Sequence, residues 1–195
     1  MTAIVCLFGS PRPDGNSTTL AEAFCRRAER PGVRVARYRL ADLRFRGCSN
    51  LFRCKTDLDH CGQEDALTPV LAAIASADII VLATPIYFTD VSAQTKACLD
   101  RWFSFFVPDY VTARDKSRLP PGKTLVFVQT QGEPEDQYTD TLERYTHSFA
   151  LLGIRKTYRL RACGVREPGD VAAREDAMQE ARTLAETLVG QPPPR

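Results

Sequence analysis

Residues 9–19 have the sequence GSPRPDGNSTT and connect an apolar run to a helical pattern. The run before them, Ile4 to Phe8, is apolar throughout, which predicts a strand buried in a parallel sheet. Leu20, Phe24 and Ala28 follow at the spacing of one helix face. The first N–H groups of a helix have no internal partner, and the helix dipole adds partial positive charge there. The order strand, turn, helix therefore predicts a socket for a small anion such as phosphate.

The side chains of this turn add further donors for an anion. These donors are hydroxyls, an amide and a guanidinium, on Ser10, Arg12, Asn16, Ser17 and Thr18. A Walker A loop does not fit, because five residues separate Gly9 from Gly15 and Asn16 stands where lysine is required. A dinucleotide fingerprint does not fit either, because Pro11 replaces its second glycine. An ordinary strand-to-helix turn with a capping box at residues 19–22 stays open as the alternative.

The composition is that of one globular domain. The chain has 195 residues, of which 44% are hydrophobic, and a net charge of +2, so we expect a single domain over residues 1–189. The basic residues are scattered, which argues against nucleic acid as a partner. No apolar run is long enough to span a membrane and no signal peptide is evident, so we expect a cytoplasmic protein without a membrane partner. The proline-rich residues 190–195 are expected to form a disordered tail.

The rest of the chain alternates predicted strands with predicted helices, which is typical of an α/β protein with a parallel sheet covered on both faces. The predicted strands lie at residues 3–8, 33–40, 78–84, 124–129 and 156–162. The predicted helices lie at residues 17–30, 66–76, 92–106, 138–152 and 172–189. An irregular insertion with three cysteines occupies residues 42–63.

The loops after the first, third and fourth strands are expected to converge, because ligands of such sheets lie beyond the carboxyl ends of the strands. These loops are residues 9–18, 85–90 and 130–137. Tyr87 and Phe88 in the second loop could stack on a flat ring, although aromatics at this place could also simply cover the core. In the third loop, Gln131 can donate and accept hydrogen bonds, and Gly132 permits close approach of a ligand to the backbone.

Three segments together resemble a known family. Residues 9–12 and 15–18, GSPR and GNST, resemble the phosphate loop of the flavodoxin-like NADPH-dependent FMN reductases, including their iron–sulfur flavoprotein branch. Residues 76–88 resemble the third strand and flavin loop of that family, and residues 92–101 resemble the helix that follows. The resemblance runs from about residue 3 to residue 162. It implies a flavodoxin-like three-layer sandwich with a five-stranded parallel sheet in the order 2-1-3-4-5.

The resemblance also implies FMN as cofactor and NAD(P)H as electron donor. It assigns the FMN phosphate to Ser10, Arg12, Asn16, Ser17 and Thr18. It assigns the flavin ring to Pro85, Ile86, Tyr87 and Phe88, with Gln131 and Gly132 near it. The implied reaction passes electrons to a small acceptor such as a quinone, a flavin, or a nitro or azo compound, and no catalytic side chain is identified. A non-enzymatic electron carrier and a flavin-free binding protein on the same fold are the alternatives.

The predicted helix at residues 92–106 is aromatic nearly all round at its end, which is more apolar surface than one core face requires. The relatives form dimers or tetramers, so we expect a homodimer or a homotetramer.

The cysteine insertion departs from the pattern of the iron–sulfur flavoproteins. Cys48, Cys54 and Cys61 match three of the four cysteines of that pattern, and Leu51 occupies the second position. Since a [4Fe–4S] cluster normally takes four thiolates, we expect no iron–sulfur cluster and favour a reduced, cluster-free loop. A metal site completed by His60 and a Cys48–Cys54 redox pair stay open as alternatives.

Overall fold

The computed structural model describes residues 1–190, and its centre is a parallel sheet. The parallel strands are β1 (Thr2–Phe8), β2 (Val33–Arg39), β3 (Ile79–Tyr87), β5 (Thr124–Thr130) and β6 (Lys156–Ala162). They pair in the order β2-β1-β3-β5-β6, and the short β4 (Asp90–Val91) pairs antiparallel with β3. The expected order of the five parallel strands is confirmed, and β4 makes the sheet six-stranded rather than five-stranded.

Six helices accompany the sheet in the described part of the chain. They are α1 (Asn16–Ala28), α2 (Arg53–Thr56), α3 (Thr68–Ser76), α4 (Ala93–Arg101), α5 (Glu143–Leu151) and α6 (Glu175–Gly190). Short 3-10 turns span Leu40–Asp42, Trp102–Phe105 and Asp170–Ala173. None of the helices within residues 1–190 has both the length and the apolar character that a membrane crossing requires.

The sheet divides the core into two layers because successive strand residues point to opposite faces. On one face, Cys6 of β1 belongs to a cluster with Phe24 of α1 and Ala181 of α6. On the other face, Leu7 belongs to a cluster with residues of α3, α4 and α5, among them Phe149. β3 and β5 are buried over most of their length, as expected for central strands that are covered on both faces. The predicted three-layer sandwich is therefore confirmed.

Two helix predictions are wrong at their ends. The predicted helix at residues 92–106 ends at Arg101 and continues as a 3-10 turn that buries Trp102 and Phe105. The predicted helix at residues 138–152 begins only at Glu143. Tyr138 has a φ of +55°, a left-handed conformation that a right-handed helix cannot contain.

Two predictions at other chain positions also need correction. The insertion at residues 42–63 is not wholly irregular, since it contains the helical turn α2. The predicted domain end at residue 189 and the predicted start of the tail at residue 190 are each one residue early, because Gly190 is the last residue of α6. The remainder of the predicted tail, residues 191–195, lies outside the described residues.

Candidate functional site

The three loops that were expected to converge line one cleft at the carboxyl edge of the sheet. The cleft has a volume of about 350 Å³. A fourth loop, between β6 and α6, contributes to its wall. The lining residues are Ser10, Arg12, Gly15, Asn16, Pro85, Ile86, Tyr87, Thr130, Gln131, Gly132, Glu133, Val165 and Arg166. Eight of the eleven predicted cofactor residues are thus brought together, while Ser17 and Thr18 are buried beside them in α1 and Phe88 lies outside the lining.

The start of α1 offers unused hydrogen-bonding groups. Gly15 precedes the helix in an extended conformation, no side chain caps the helix, and its first turn contains no acidic residue. The Ser17 Oγ and the Thr18 Oγ1 are buried and have no hydrogen-bond partner among the described residues. A buried hydroxyl without a partner costs about 1–3 kcal/mol, so such groups point to a missing ligand. A phosphate group fits this set of donors.

Two of the polar residues at this turn position the loop. The Ser10 Oγ accepts a hydrogen bond from the Arg12 N–H at 3.1 Å. A Cβ atom at Gly15 would overlap that Oγ and lie 3.0 Å from the Ser10 Cβ, so a larger residue would make Ser10 move and give up this hydrogen bond. The Asn16 Nδ2 donates to the Glu167 carbonyl at 2.9 Å, and its Oδ1 accepts from the Val171 N–H at 3.1 Å. The Asn16 side chain therefore ties α1 to the fourth loop, and its role as a phosphate donor stays a prediction.

The second loop is a tight hairpin between β3 and β4. Tyr87 pairs with Asp90, so Phe88 and Thr89 alone form the turn, with φ values of +47° and +71°. Positive φ at both central residues defines a type I′ turn, which ordinarily contains Asn or Gly. Phe88 is 102% exposed and Tyr87 is 43% exposed. The hairpin thus presents two aromatic side chains at the edge of the cleft, where only Tyr87 reaches the lining.

Helix α5 holds this hairpin in place. The Arg144 Nη2 donates to the Thr89 carbonyl at 3.0 Å. The Tyr145 hydroxyl donates to the Asp90 Oδ1 at 2.8 Å. Burial and the neighbouring Asp90 carboxylate raise the pKa of the Tyr145 phenol, so the phenol keeps its proton and remains a donor.

In the third loop, the oxygen and the nitrogen of the Gln131 amide both form hydrogen bonds within the protein. Its Oε1 accepts from the Gln129 Nε2 at 2.8 Å and from the Arg161 Nη2 at 3.1 Å. Its Nε2 donates to the Pro134 and Gln137 carbonyls at 2.9 and 3.0 Å. Gln131 therefore shapes the loop, which lines the cleft from Thr130 to Glu133.

Five lining residues are not among the predicted cofactor residues: Gly15, Thr130, Glu133, Val165 and Arg166. The first three lie in the predicted loops. No local motif marks Val165 and Arg166, since the fourth loop is brought to the phosphate loop by contacts between residues that lie far apart in the chain. One such contact, between Asn16 and Val171, joins positions 155 residues apart.

The three cysteines do not fit an iron–sulfur cluster. Cys48 is exposed, Cys54 is buried, and the Sγ of the partly buried Cys61 accepts a hydrogen bond from the Arg101 Nε at 2.9 Å. Leu51, at the position of the missing cysteine, is 57% exposed. Within residues 1–190, no three side chains of His, Cys, Asp or Glu are grouped so that they could hold a metal ion.

The cysteine segment is instead held by cationic side chains. Arg101 has no exposed side-chain surface and donates to Asp65 at 2.7 Å and to the Gln63 carbonyl at 2.7 Å. The Lys55 Nζ donates to the Phe103 and Phe106 carbonyls, both at 2.8 Å. Burial lowers the pKa of this ammonium group. These contacts join the segment to the end of α4 without any metal ligand.

Comparisons with known proteins identify the family and the fold of this chain. Sequence relatives include an iron–sulfur flavoprotein from Methanocaldococcus jannaschii, 34% identical over 98 residues, which are 50% of this chain and 50% of the relative. Another, from Archaeoglobus fulgidus, is 27% identical over 132 residues, 68% of this chain and 57% of the relative. The chain thus aligns with only about half the length of these curated relatives.

A solved structure of an FMN-dependent NADH-azoreductase from Bacillus anthracis in complex with FMN has a TM-score of 0.73 to this chain. The match has 19% sequence identity and covers 96% of this chain and 100% of that chain, which shows that the two share a fold. The family model described as NADPH-dependent FMN reductase matches residues 2–156. Because this match spans most of the chain, the protein belongs to the NADPH-dependent FMN reductase family.

Proposed function

We propose that this protein is an FMN-dependent NAD(P)H oxidoreductase that passes electrons to a small acceptor such as a quinone, a flavin, or a nitro or azo compound. The observation that carries the proposal is the pair of buried hydroxyls of Ser17 and Thr18, which have no hydrogen-bond partner among the described residues and directly follow Asn16, a residue of the cleft lining. Family membership supports FMN as the ligand of that cleft.

Different groups would bind the phosphate and the ring of FMN. The first N–H groups of α1, the hydroxyls of Ser17 and Thr18, and the Arg12 guanidinium would hold the phosphate. The backbone at Pro85 to Tyr87 and at Gly132 would hold the edge of the ring. When bound, FMN would supply the capacity to take two electrons from NAD(P)H and pass them on. The Asp90 contacts to Arg144 and Tyr145 would keep the ring-binding hairpin rigid.

We also propose that the chain assembles as a homodimer or a homotetramer. Part of the aromatic surplus predicted at the end of α4 is used inside the chain, since the Phe103 ring lies 6.1 Å from that of Phe52 and 5.4 Å from that of Tyr110. Phe52 nevertheless stays 48% exposed next to Leu51, which supports self-association. Light scattering should give a mass of at least two chains. A cytoplasmic location remains a prediction.

The test is turnover by the FMN-loaded protein. We expect NADH or NADPH to be oxidised in the presence of a quinone or an azo dye, with a rate proportional to bound FMN. A protein that binds FMN but is reduced only through a protein partner would instead be an electron carrier. Failure of the FMN-loaded protein with both donors and every acceptor would contradict the proposed reaction.

A further inference from the structure

The fourth loop of the cleft is fastened to the third loop by its backbone. The Gly164 N–H donates to the Glu133 carbonyl at 3.1 Å, and the Val165 N–H donates to the Gln131 carbonyl at 3.0 Å. These bonds continue the pairing of β5 with β6 past the ends of the two strands. The fourth loop is therefore a fixed wall of the cleft.

The same loop is fastened to the phosphate loop on its other side. Asn16 bonds to the Glu167 carbonyl and to the Val171 N–H, and the Arg12 Nη1 donates to the Arg166 carbonyl at 3.3 Å. The Asp170 Oδ2 accepts from the N–H groups of Arg166 and Glu167, both at 2.8 Å. Arg166 is thus held between the phosphate loop and the third loop.

The Arg166 side chain reaches across Gly132, and four of its five N–H donors have no partner among the described residues. Its Nε donates to the Gly132 carbonyl at 3.1 Å. A Cβ atom at Gly132 would lie 2.8 Å from the Arg166 Cγ, so the glycine makes room for the arginine stem. Within residues 1–190, the Arg166 Nη1 and Nη2 atoms have no hydrogen-bond partner, although Glu133 lines the same cleft. The stem is fixed while the charged end remains free to bind.

We propose that Arg166 and Arg12 form a two-arginine clamp for a phosphomonoester bound in the cleft. A guanidinium has a planar fork of donors that matches phosphate oxygens, and two such groups can contact one phosphate from two sides. The inference rests on the proposed function, which supplies two phosphomonoesters, the 5′-phosphate of FMN and the 2′-phosphate of NADPH. The matched family segment ends at residue 156, so Arg166 lies outside it.

The experiment compares ligands that differ only in the phosphate. FMN and riboflavin are titrated into wild type and Arg166→Gln by flavin fluorescence, and KM is measured for NADPH and NADH with the FMN-loaded proteins. We expect Arg166→Gln to weaken FMN binding about tenfold and to leave riboflavin binding unchanged. Arg155→Gln is the matched control, since Arg155 is exposed and precedes β6 at the opposite edge of the sheet. Circular dichroism checks that each variant folds.

The flavin titrations and the KM measurements also distinguish the 5′-phosphate of FMN from the 2′-phosphate of NADPH. Unchanged FMN binding with a raised KM for NADPH and an unchanged KM for NADH would place the clamp on the donor. Equal weakening of FMN and riboflavin, or no change with any of the four ligands, would overturn the clamp. A wild-type protein that binds neither flavin would overturn the proposed function itself, which distinguishes that failure from failure of the clamp.

Discussion

At the scale of single residues, the hydroxyls at the start of α1 are the most informative groups in the molecule. Ser17 is 1% exposed, and its Oγ has no partner among the described residues. A serine in a good core is normally satisfied by a carbonyl of the preceding turn or by another side chain. An oxygen of a bound phosphate would supply the missing partner.

Substitution of Ser17 tests this reading. Ser17→Ala removes a buried hydroxyl that has no partner among the described residues, so the free energy of unfolding of the FMN-free protein should rise by about 1 kcal/mol or more. Ser17→Asp puts a negative charge beside the phosphate and should weaken FMN binding at least about tenfold, or about 1.4 kcal/mol. Ser76→Asp, at an exposed position at the end of α3, is the control. If Ser17→Asp binds FMN with the affinity of the wild type, the assignment of the FMN phosphate to Ser17 is wrong.

The ion pair of Asp65 with Arg101 predicts a dependence of stability on pH. Burial alone would raise the Asp65 pKa, but hydrogen bonds from Arg101 and from the Leu67 N–H outweigh it and hold the pKa below its ordinary value. A carboxyl with a depressed folded pKa stabilises the protein above its unfolded pKa of about 3.9. That stabilisation is lost as the pH falls through the lower folded pKa.

Urea unfolding of wild type and Asp65→Asn measures this effect. The variant leaves the buried Arg101 without its anion and should lower the free energy of unfolding by about 3 kcal/mol at pH 7. The difference should shrink as the pH falls from about 4 through the lower folded pKa, because Asp65 of the unfolded protein is protonated first and folded Asp65 only at lower pH. Asp115→Asn, at an exposed carboxylate without an ion pair in the described part of the chain, should show neither effect. A difference that stays constant with pH would contradict the assignment.

At the scale of elements, the hairpin between β3 and β4 shows where local sequence signals fail. Type I′ turns are recognised by Asn-Gly or similar pairs, and Phe88-Thr89 contains neither residue. The pairing of β3 with β4 and the contacts from Arg144 and Tyr145 hold the pair in this conformation. The sequence therefore predicted a loop where the structure has a strained turn.

Replacement of Thr89 should relieve that strain. A β-branched residue at a φ of +71° is disfavoured, so Thr89→Gly should raise the free energy of unfolding by about 1 kcal/mol. The control, Thr183→Gly at an exposed position inside α6, should lower it by about 0.5–1 kcal/mol, because glycine is a poor helix former. Chemical denaturation measures both. Loss of stability in Thr89→Gly would show that the turn is not strained.

The cysteine segment shows that the spacing of cysteines does not by itself identify a metal site. Cysteine spacing alone left a metal site, a redox pair and a cluster-free loop open. The contacts of Arg101 and Lys55 show how the segment is held by protein groups. Protein purified without oxygen should contain iron and sulfide far below one per chain, and a chelator should not change its melting temperature. Stoichiometric iron and sulfide, with a broad visible absorbance beside any flavin bands, would show that a cluster forms despite Leu51.

At the scale of the whole molecule, the hydrophobic pattern of the sequence predicted the parallel strands, and the family resemblance implied their order in the sheet. The five parallel strands lie within a few residues of their predicted bounds. β1, β3 and β5 have nearly continuous apolar runs, whereas the edge strands β2 and β6 mix apolar residues with arginines. The three converging loops follow from the geometry of any parallel sheet. The roles of Asn16, Gln131 and Arg166 could not be predicted, because each depends on contacts between loops that only the folded chain brings together.

One measurement tests most directly whether the cleft binds FMN and whether the bound FMN accepts electrons from NADPH. It is the visible absorption spectrum of the FMN-loaded protein, recorded without oxygen before and after addition of NADPH. The proposed function predicts the two absorption bands of a bound oxidised flavin and their bleaching on addition of NADPH. Bands that persist after NADPH, or a protein that retains no FMN, would contradict it.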